Sequence, residues 1–243
     1  MRVLLVRDGR EFLCAPGEEL QTDLGVLTVP DDVAPGDTLE THLGEAFHVE
    51  PARGPALFRH LERTGAPMLP RDVGLVIGHL GLEAGDRVLD AGTGTGVLAV
   101  FLGRLGLEVV SYERDEAFAE NARENMQVAG VADRVDVRTG DLLEAFDELA
   151  EGEPFDALTL DTQDAPAAVS EAPAVLGPGA GLAAYSPFVE GTRAVVEAAR
   201  DAGYGSIETY ETIQREMDFD DRGSRPSTAG VGHTGYLTFA RAP

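Results

Sequence analysis

The sequence predicts an α/β fold, a parallel sheet with helices on both faces, preceded by a small β-rich N-terminal domain. Two observations predict it. Residues 1–50 hold short apolar runs split by turn residues, with no helical period. From Asp72 onward, strand-like and helix-like segments alternate over about 170 residues. A length of 243 residues suits one core domain with a small appendage. The boundary is placed near residue 60, giving units 1–60 and 61–243.

In chain order, RVLLV, EFLCA and GVLTV read as strands, divided by RDG, PGEE and PDDVAPGD. Residues 51–71 form a connector containing Pro and Arg. DVGLVIGHLGL fits an amphipathic helix ending at a glycine. DRVLDAG is a strand with a Gly turn, and TGVLAVFLGRLG a helix with a Gly stop. LEVVSYE is the next strand. DEAFAENARENMQVAG is a helix that Asp115 caps and Gly130 ends. DRVDVRTGD, PFDALTLD and GAGLAAYSP are further strands, followed by the helix VEGTRAVVEAARDAG. SIETYETIQ and TGYLTFA close the chain as strands.

The chain carries 43 Asp and Glu against 19 Arg and no Lys, a formal charge of −24. Such a charge ordinarily argues against a nucleic-acid partner, because binding phosphates takes cations. The Lys-free, acid-rich composition also resembles proteins of salt-in halophiles. At molar salt the Debye length is roughly 3 Å, so the global charge then reports the solvent. Two stretches break the acidic pattern. Residues 51–71 hold Arg53, Arg59, Arg63 and Arg71 against Glu62 alone, and residues 222–243 hold Arg222, Arg225, His233 and Arg241 with no acid. Both are candidate anion-binding surfaces, with burial against core or other subunits as the competing explanation. No apolar run approaches a membrane span, and the opening MRVLLVRDGREFL is too short in apolar residues for a secretory signal. A single cysteine, Cys14, excludes an internal disulfide, and the scattered histidines suggest no metal site. These features together predict a soluble cytoplasmic protein.

The most informative stretch is VLDAGTGTGV, residues 88–97. A strand runs into a glycine turn and then a helix. The glycines Gly92, Gly94 and Gly96 let a ligand approach the backbone, beside Thr93, Thr95 and Val97 at a helix N-terminus. The spacing is GxGxG, not the GxGxxG of a pyrophosphate turn. Asp90, just before the turn, would repel a pyrophosphate and suits a cationic ligand such as S-adenosylmethionine. Glu113 ends the second strand, where a carboxylate can accept both ribose hydroxyls. Asp141 follows the third strand, where it can accept from an adenine amino group. An NAD(P) site is the competing reading.

The fourth strand ends at Asp161, facing the ligand side of the sheet. There a carboxylate can hold an exocyclic amino group and stabilise the charge that develops when a ring nitrogen is methylated. The alternative is an N-cap for the following helix.

VLDAGTGTG, SYERDEAFAENARENM, the TGD turn, FDALTLD and VGHTGYLTFAR together resemble the class I tRNA (adenine-N1)-methyltransferases. The resemblance covers nearly the whole chain. It implies a Rossmann-like class I methyltransferase sheet and methyl transfer from S-adenosylmethionine to N1 of a T-loop adenine, at position 57, 58 or both. It further implies that Gly92 to Val97 hold the methionine part, Glu113 the ribose, and Asp141 with Leu142 the adenine. Asp161 would be the catalytic carboxylate and Tyr185 a catalytic-site tyrosine near the base. Arg71, Arg225 and His233 would meet the tRNA, and the assembly would be a homotetramer. Some positions depart from the family pattern. Ala66 and Leu69 replace a Gln and an aromatic or His, no Trp follows Asp161, and Phe188 and Gly191 stand where Asn and Gln are usual. Two rivals stay open: a methyltransferase for a protein carboxylate or small molecule, and a non-catalytic RNA-binding subunit.

Overall fold

The computed structural model describes residues 2–221, 223–229 and 232–243. Arg222 and Val231, both in the second positive stretch, lie outside the described residues. The N-terminal segment folds as β1 (Val3–Arg7), β2 (Arg10–Cys14), β3 (Glu19–Thr22), β4 (Gly25–Thr28), β5 (Thr38–Glu40) and β6 (Ala46–Pro51). The order β2-β1-β6-β5 makes one antiparallel sheet, and β3 pairs with β4 as a separate hairpin. Strand alternation divides its apolar residues. Val3 and Leu5 enter a local core with Cys14, Leu27, Val29, Phe47 and Val49, whereas Leu4 faces the neighbouring core.

The connector forms a short 3-10 turn, Leu57–His60, and Ala52, Leu57 and Leu61 bury into the larger core. The rest of the chain runs α1 (Pro70–Leu80), β7 (Arg87–Ala91), α2 (Val97–Leu105), β8 (Glu108–Glu113), α3 (Glu116–Ala129), β9 (Val135–Thr139), α4 (Leu142–Leu149), β10 (Phe155–Leu160), α5 (Ala165–Glu171), β11 (Leu176–Ser186), α6 (Val189–Asp201), β12 (Gly205–Glu211), β13 (Met217–Asp220), β14 (Gly223–Pro226) and β15 (Tyr236–Arg241). Helix ends follow local chemistry. Asp115 accepts from the Ala117 and Phe118 amides to start α3, and Gly81, Gly106 and Gly130 end α1, α2 and α3 in the left-handed conformation.

Seven strands form the central sheet in the order β12-β15-β11-β10-β7-β8-β9. Its two faces are read residue by residue. Val88, Val109 and Ala157 pack under α1, α2 and α3, while their neighbours Leu89 and Leu158 pack under α4, α5 and α6. The sheet is mixed, not all parallel: β15 runs antiparallel to both β11 and β12. The chain re-enters between them after the β13–β14 hairpin, which makes the β12-to-β15 connection a return and not a helical crossover. This order, with one reversed strand beside β11, fits the class I methyltransferase sheet that the resemblance implies.

Candidate active site

The functional side chains collect beyond the carboxyl ends of β7, β8, β9, β10 and β11. Register sets the first group. Ser111, Asp90 and Thr159 are direct neighbours across β8, β7 and β10. Each hydroxyl donates to Asp90 at 2.5 Å, and Thr93 Oγ1 lies 2.6 Å from Ser111 Oγ. Asp90 is buried, which raises its pKa, and the two hydroxyls partly oppose that rise. The carboxylate thus sits fixed beneath the glycine turn.

The turn itself needs glycine. Gly92, Gly94 and Gly96 all have positive φ, and a Cβ on Gly92 would lie 2.1 Å from the Asp161 carbonyl oxygen. A Cβ on Gly94 would meet nothing closer than 3.8 Å, so this position borders open space. Glu113 ties the turn to β8. Its Oε2 accepts from the Gly94 amide at 3.0 Å and its Oε1 from the Asp115 amide at 3.1 Å. A carboxylate has about four acceptor positions, so two remain for a pair of hydroxyls. Asp141 caps α4 through the Leu143 amide, and Arg114 reaches Asp164 at 2.6 Å and Asp141 at 3.6 Å.

These residues wall a cavity of about 360 Å3, lined by Gly92, Gly94, Glu113, Asp141, Leu142 and Asp161 among others. A narrow cleft lined by Asp90, Thr93, Thr95, Gly96, Val97, Asp161 and Tyr185 adjoins it. The donor set suits S-adenosylmethionine: carboxylates for ribose and adenine, a glycine cradle, and acids facing a cationic end.

Asp161 is the common point. It lines both of these spaces and also two larger chambers, of about 490 and 460 Å3, that Tyr185 shares. Its amide continues the β7–β10 ladder by donating to Ala91 O at 2.9 Å. Its carboxylate accepts no hydrogen bond among the described residues. The residue is solvent-exposed where these cavities open, while protein packs around the carboxylate on its inner side. Burial, then the charge of Asp90, push its pKa up to about 6. It does not cap a helix: α5 starts at Ala165, with Asp164 in the cap position. A donor space and an acceptor space meeting at one uncommitted carboxylate is the geometry of group transfer.

Residues 60–223 match the family described as tRNA methyltransferase complex GCD14 subunit. The chain belongs to this family. It is 32% identical to the tRNA (adenine(57)-N(1)/adenine(58)-N(1))-methyltransferase TrmI of Methanocaldococcus jannaschii, across 100% of this chain and 95% of the relative. Among solved structures, it resembles a SAM-dependent O-methyltransferase of Thermotoga maritima, with a TM-score of 0.80 and 27% identity over 99% and 92% of the two chains. The tRNA (m1A58) methyltransferase TrmI of Aquifex aeolicus shares the fold, with a TM-score of 0.76 and 24% identity over 100% and 97%.

In this GCD14-family chain the C-terminal GHTG segment is a clasp. The Tyr185 hydroxyl donates to Thr234 O at 2.5 Å, and Arg71 donates to the Thr234 hydroxyl. A Cβ on Gly235 would lie 2.5 Å from the Tyr185 ring, so glycine lets the segment press against it. His233 places Nδ1 2.7 Å from Glu211 Oε1 and Nε2 3.2 Å from Pro187 O. Both partners are acceptors, and they hold the imidazole pKa above its ordinary value.

The sequence expectations therefore divide. Gly92, Thr93, Gly94, Thr95, Gly96, Val97, Asp90, Glu113, Asp141, Leu142, Asp161 and Tyr185 come together. Arg71 is not an open cation: its side chain is 8% exposed and lies 3.4 Å from Asp72. Arg225 sits on the β13–β14 hairpin beside Asp218 and lines none of the four spaces around Asp161. Arg59 is paired with Glu11, whereas Arg53 and Arg63 are exposed with no ion pair among the described residues. Sequence reading missed Thr234, Gln163 and Arg114. Thr234 and Gln163 are both polar residues in loops: Thr234 has its partners on distant elements, and Gln163 is brought to the site only by the turn after β10. Arg114 had a visible signal, a cation directly after Glu113.

Proposed function

We propose that this chain transfers a methyl group from S-adenosylmethionine to N1 of an adenine in the tRNA T-loop, at position 57, 58 or both. The observation that carries the reading is Asp161, where the donor cavity and the acceptor chambers converge on one carboxylate. The M. jannaschii relative's name supports the substrate. Bound S-adenosylmethionine supplies an electrophilic methyl on a sulfonium. Glu113 and Asp141 would hold its ribose and adenine, and the Gly92–Val97 turn its methionine end.

Asp161 accepts from the exocyclic amino group of the target adenine and so fixes the ring nitrogen's orientation. The same carboxylate stabilises the positive charge that N1 methylation leaves on the base. Tyr185 contributes its ring and not its proton, because its hydroxyl is committed to Thr234 and burial pushes its pKa up. Exposed Arg53 and Arg63 face the RNA as phosphate partners. A catalytically lost subunit would show a broken turn or missing acids, and none is missing here.

The reading carries further parts: an N-terminal domain over 1–60, a homotetramer, cytoplasmic residence, and adaptation to high salt. Light scattering on the purified protein tests the assembly, with four chains expected and a monomer contradicting it. Asp161→Ala tests the chemistry. Calorimetric affinity for S-adenosylmethionine should stay within about threefold of wild type, while methyl transfer to a tRNA transcript falls by about 100-fold or more. Loss of cofactor binding instead would make Asp161 a ligand or structural residue.

A further inference from the structure

The chamber of about 490 Å3 next to Asp161 is walled by Tyr185, Gln163, Pro166, Val195 and Phe188. Phe188 is 69% exposed. Its place is nevertheless fixed. Ser186 Oγ donates to Phe188 O at 3.0 Å and accepts from Phe188 N at 3.3 Å. Thr192 reaches the same carbonyl with its amide at 3.1 Å and its hydroxyl at 3.0 Å. Gly191 permits this arrangement, since a Cβ there would lie 2.4 Å from Ser186 Oγ. The backbone is pinned while the ring is left open at the chamber's rim. An exposed ring forgoes the burial that normally stabilises phenylalanine, and a flat aromatic partner restores it. Gln163 adds a side-chain amide with no hydrogen bond among the described residues, which offers a donor and an acceptor to a base edge. The other chamber, of about 460 Å3, is lined by Ala66, Pro67, Met68 and Leu69 and offers, among the described residues, no side-chain amide and no aromatic ring besides Tyr185.

We propose that Phe188 is the stacking platform for the target purine, seating the base in the chamber beneath its ring and not in the one beside Leu69. This rests on the methyl-transfer reading above. Base–aromatic stacking is a general device for holding a nucleotide extruded from its helix. The ring fixes the plane of the purine, Gln163 meets its edge, and Asp161 at the chamber floor meets its amino group.

The test compares Phe188→Leu, Phe188→Ala and Phe188→Tyr with wild type on a T-arm RNA. Stacking predicts a loss in kcat/KM of about 10- to 100-fold for Leu and Ala, and near-wild-type activity for Tyr. S-Adenosylmethionine affinity should be unchanged in all three. A T-arm carrying 2-aminopurine at the target position should show stacking-dependent quenching with wild type and Phe188→Tyr but not with Phe188→Leu. Wild-type kcat/KM or quenching in Phe188→Leu would overturn the proposal, as would a parallel loss of cofactor affinity. Quenching by wild type without any methylated adenine would leave the stacking role standing and sink the adenine-N1 reading instead.

Discussion

Asp161 opens onto the cavities yet holds its charge against partial desolvation by the surrounding protein and against the neighbouring Asp90, and this sets a pH window. A carboxylate ordinarily titrates near 4, whereas Asp161 titrates at about 6. Methyl transfer needs the ionised form, so kcat should fall as pH drops through about 6 and level off above it. Stability runs the other way. The folded protein holds this proton between about pH 4 and 6 while the unfolded chain has released it, so charging Asp161 weakens the fold as pH rises through 6. Asp161→Asn should therefore melt higher than wild type above pH 6, with the gap closing below about pH 4. A gap that persists at low pH would contradict the charged-carboxylate account. Asp161 was legible in the sequence because a strand end next to a glycine turn fixes where its side chain goes. The clasp was not: Thr234 meets Arg71 and Tyr185 across 163 and 49 positions, and no local pattern encodes such a contact.

At the level of elements, the β7–turn–α2 unit carries the cofactor site, and its glycines do different work. Gly92 packs against backbone, so Gly92→Ala must displace the chain at Asp161, directly after β10. That variant should lose S-adenosylmethionine binding and also melt lower, by a cost of about 1–3 kcal/mol or more. Gly94 faces open space, so Gly94→Ala should weaken binding while losing little stability beyond the strain of its positive φ, about 1–2 kcal/mol. Calorimetry paired with thermal melts separates the two, and equal effects would contradict the assignment. The alternation of strands and helices was readable from Asp72 because each helix has an apolar stripe and a glycine stop. Four elements gave weaker signals. α4 and α5 are only 8 and 7 residues long, and β13 and β14 are almost wholly exposed, so neither period develops. The antiparallel β15 was legible as a strand but not in direction, which depends on the hairpin before it.

Across the whole molecule, acids outnumber arginines and the two are intermixed, Arg114 lying among the acids of the donor cavity. Acids cover the surface and line the donor cavity, where they suit a cationic cofactor, while exposed Arg53 and Arg63 lie on the connector. At molar salt the overall charge of −24 is screened within roughly 3 Å, so short-range contacts and not long-range repulsion decide RNA binding. The most direct measurement is therefore nucleoside mass spectrometry of an unmodified tRNA transcript, after incubation with the wild-type protein and labelled S-adenosylmethionine in molar potassium chloride. The account predicts labelled 1-methyladenosine in the T-loop. Cofactor binding with no methylated nucleoside in the tRNA would contradict it and leave a methyltransferase of another substrate class.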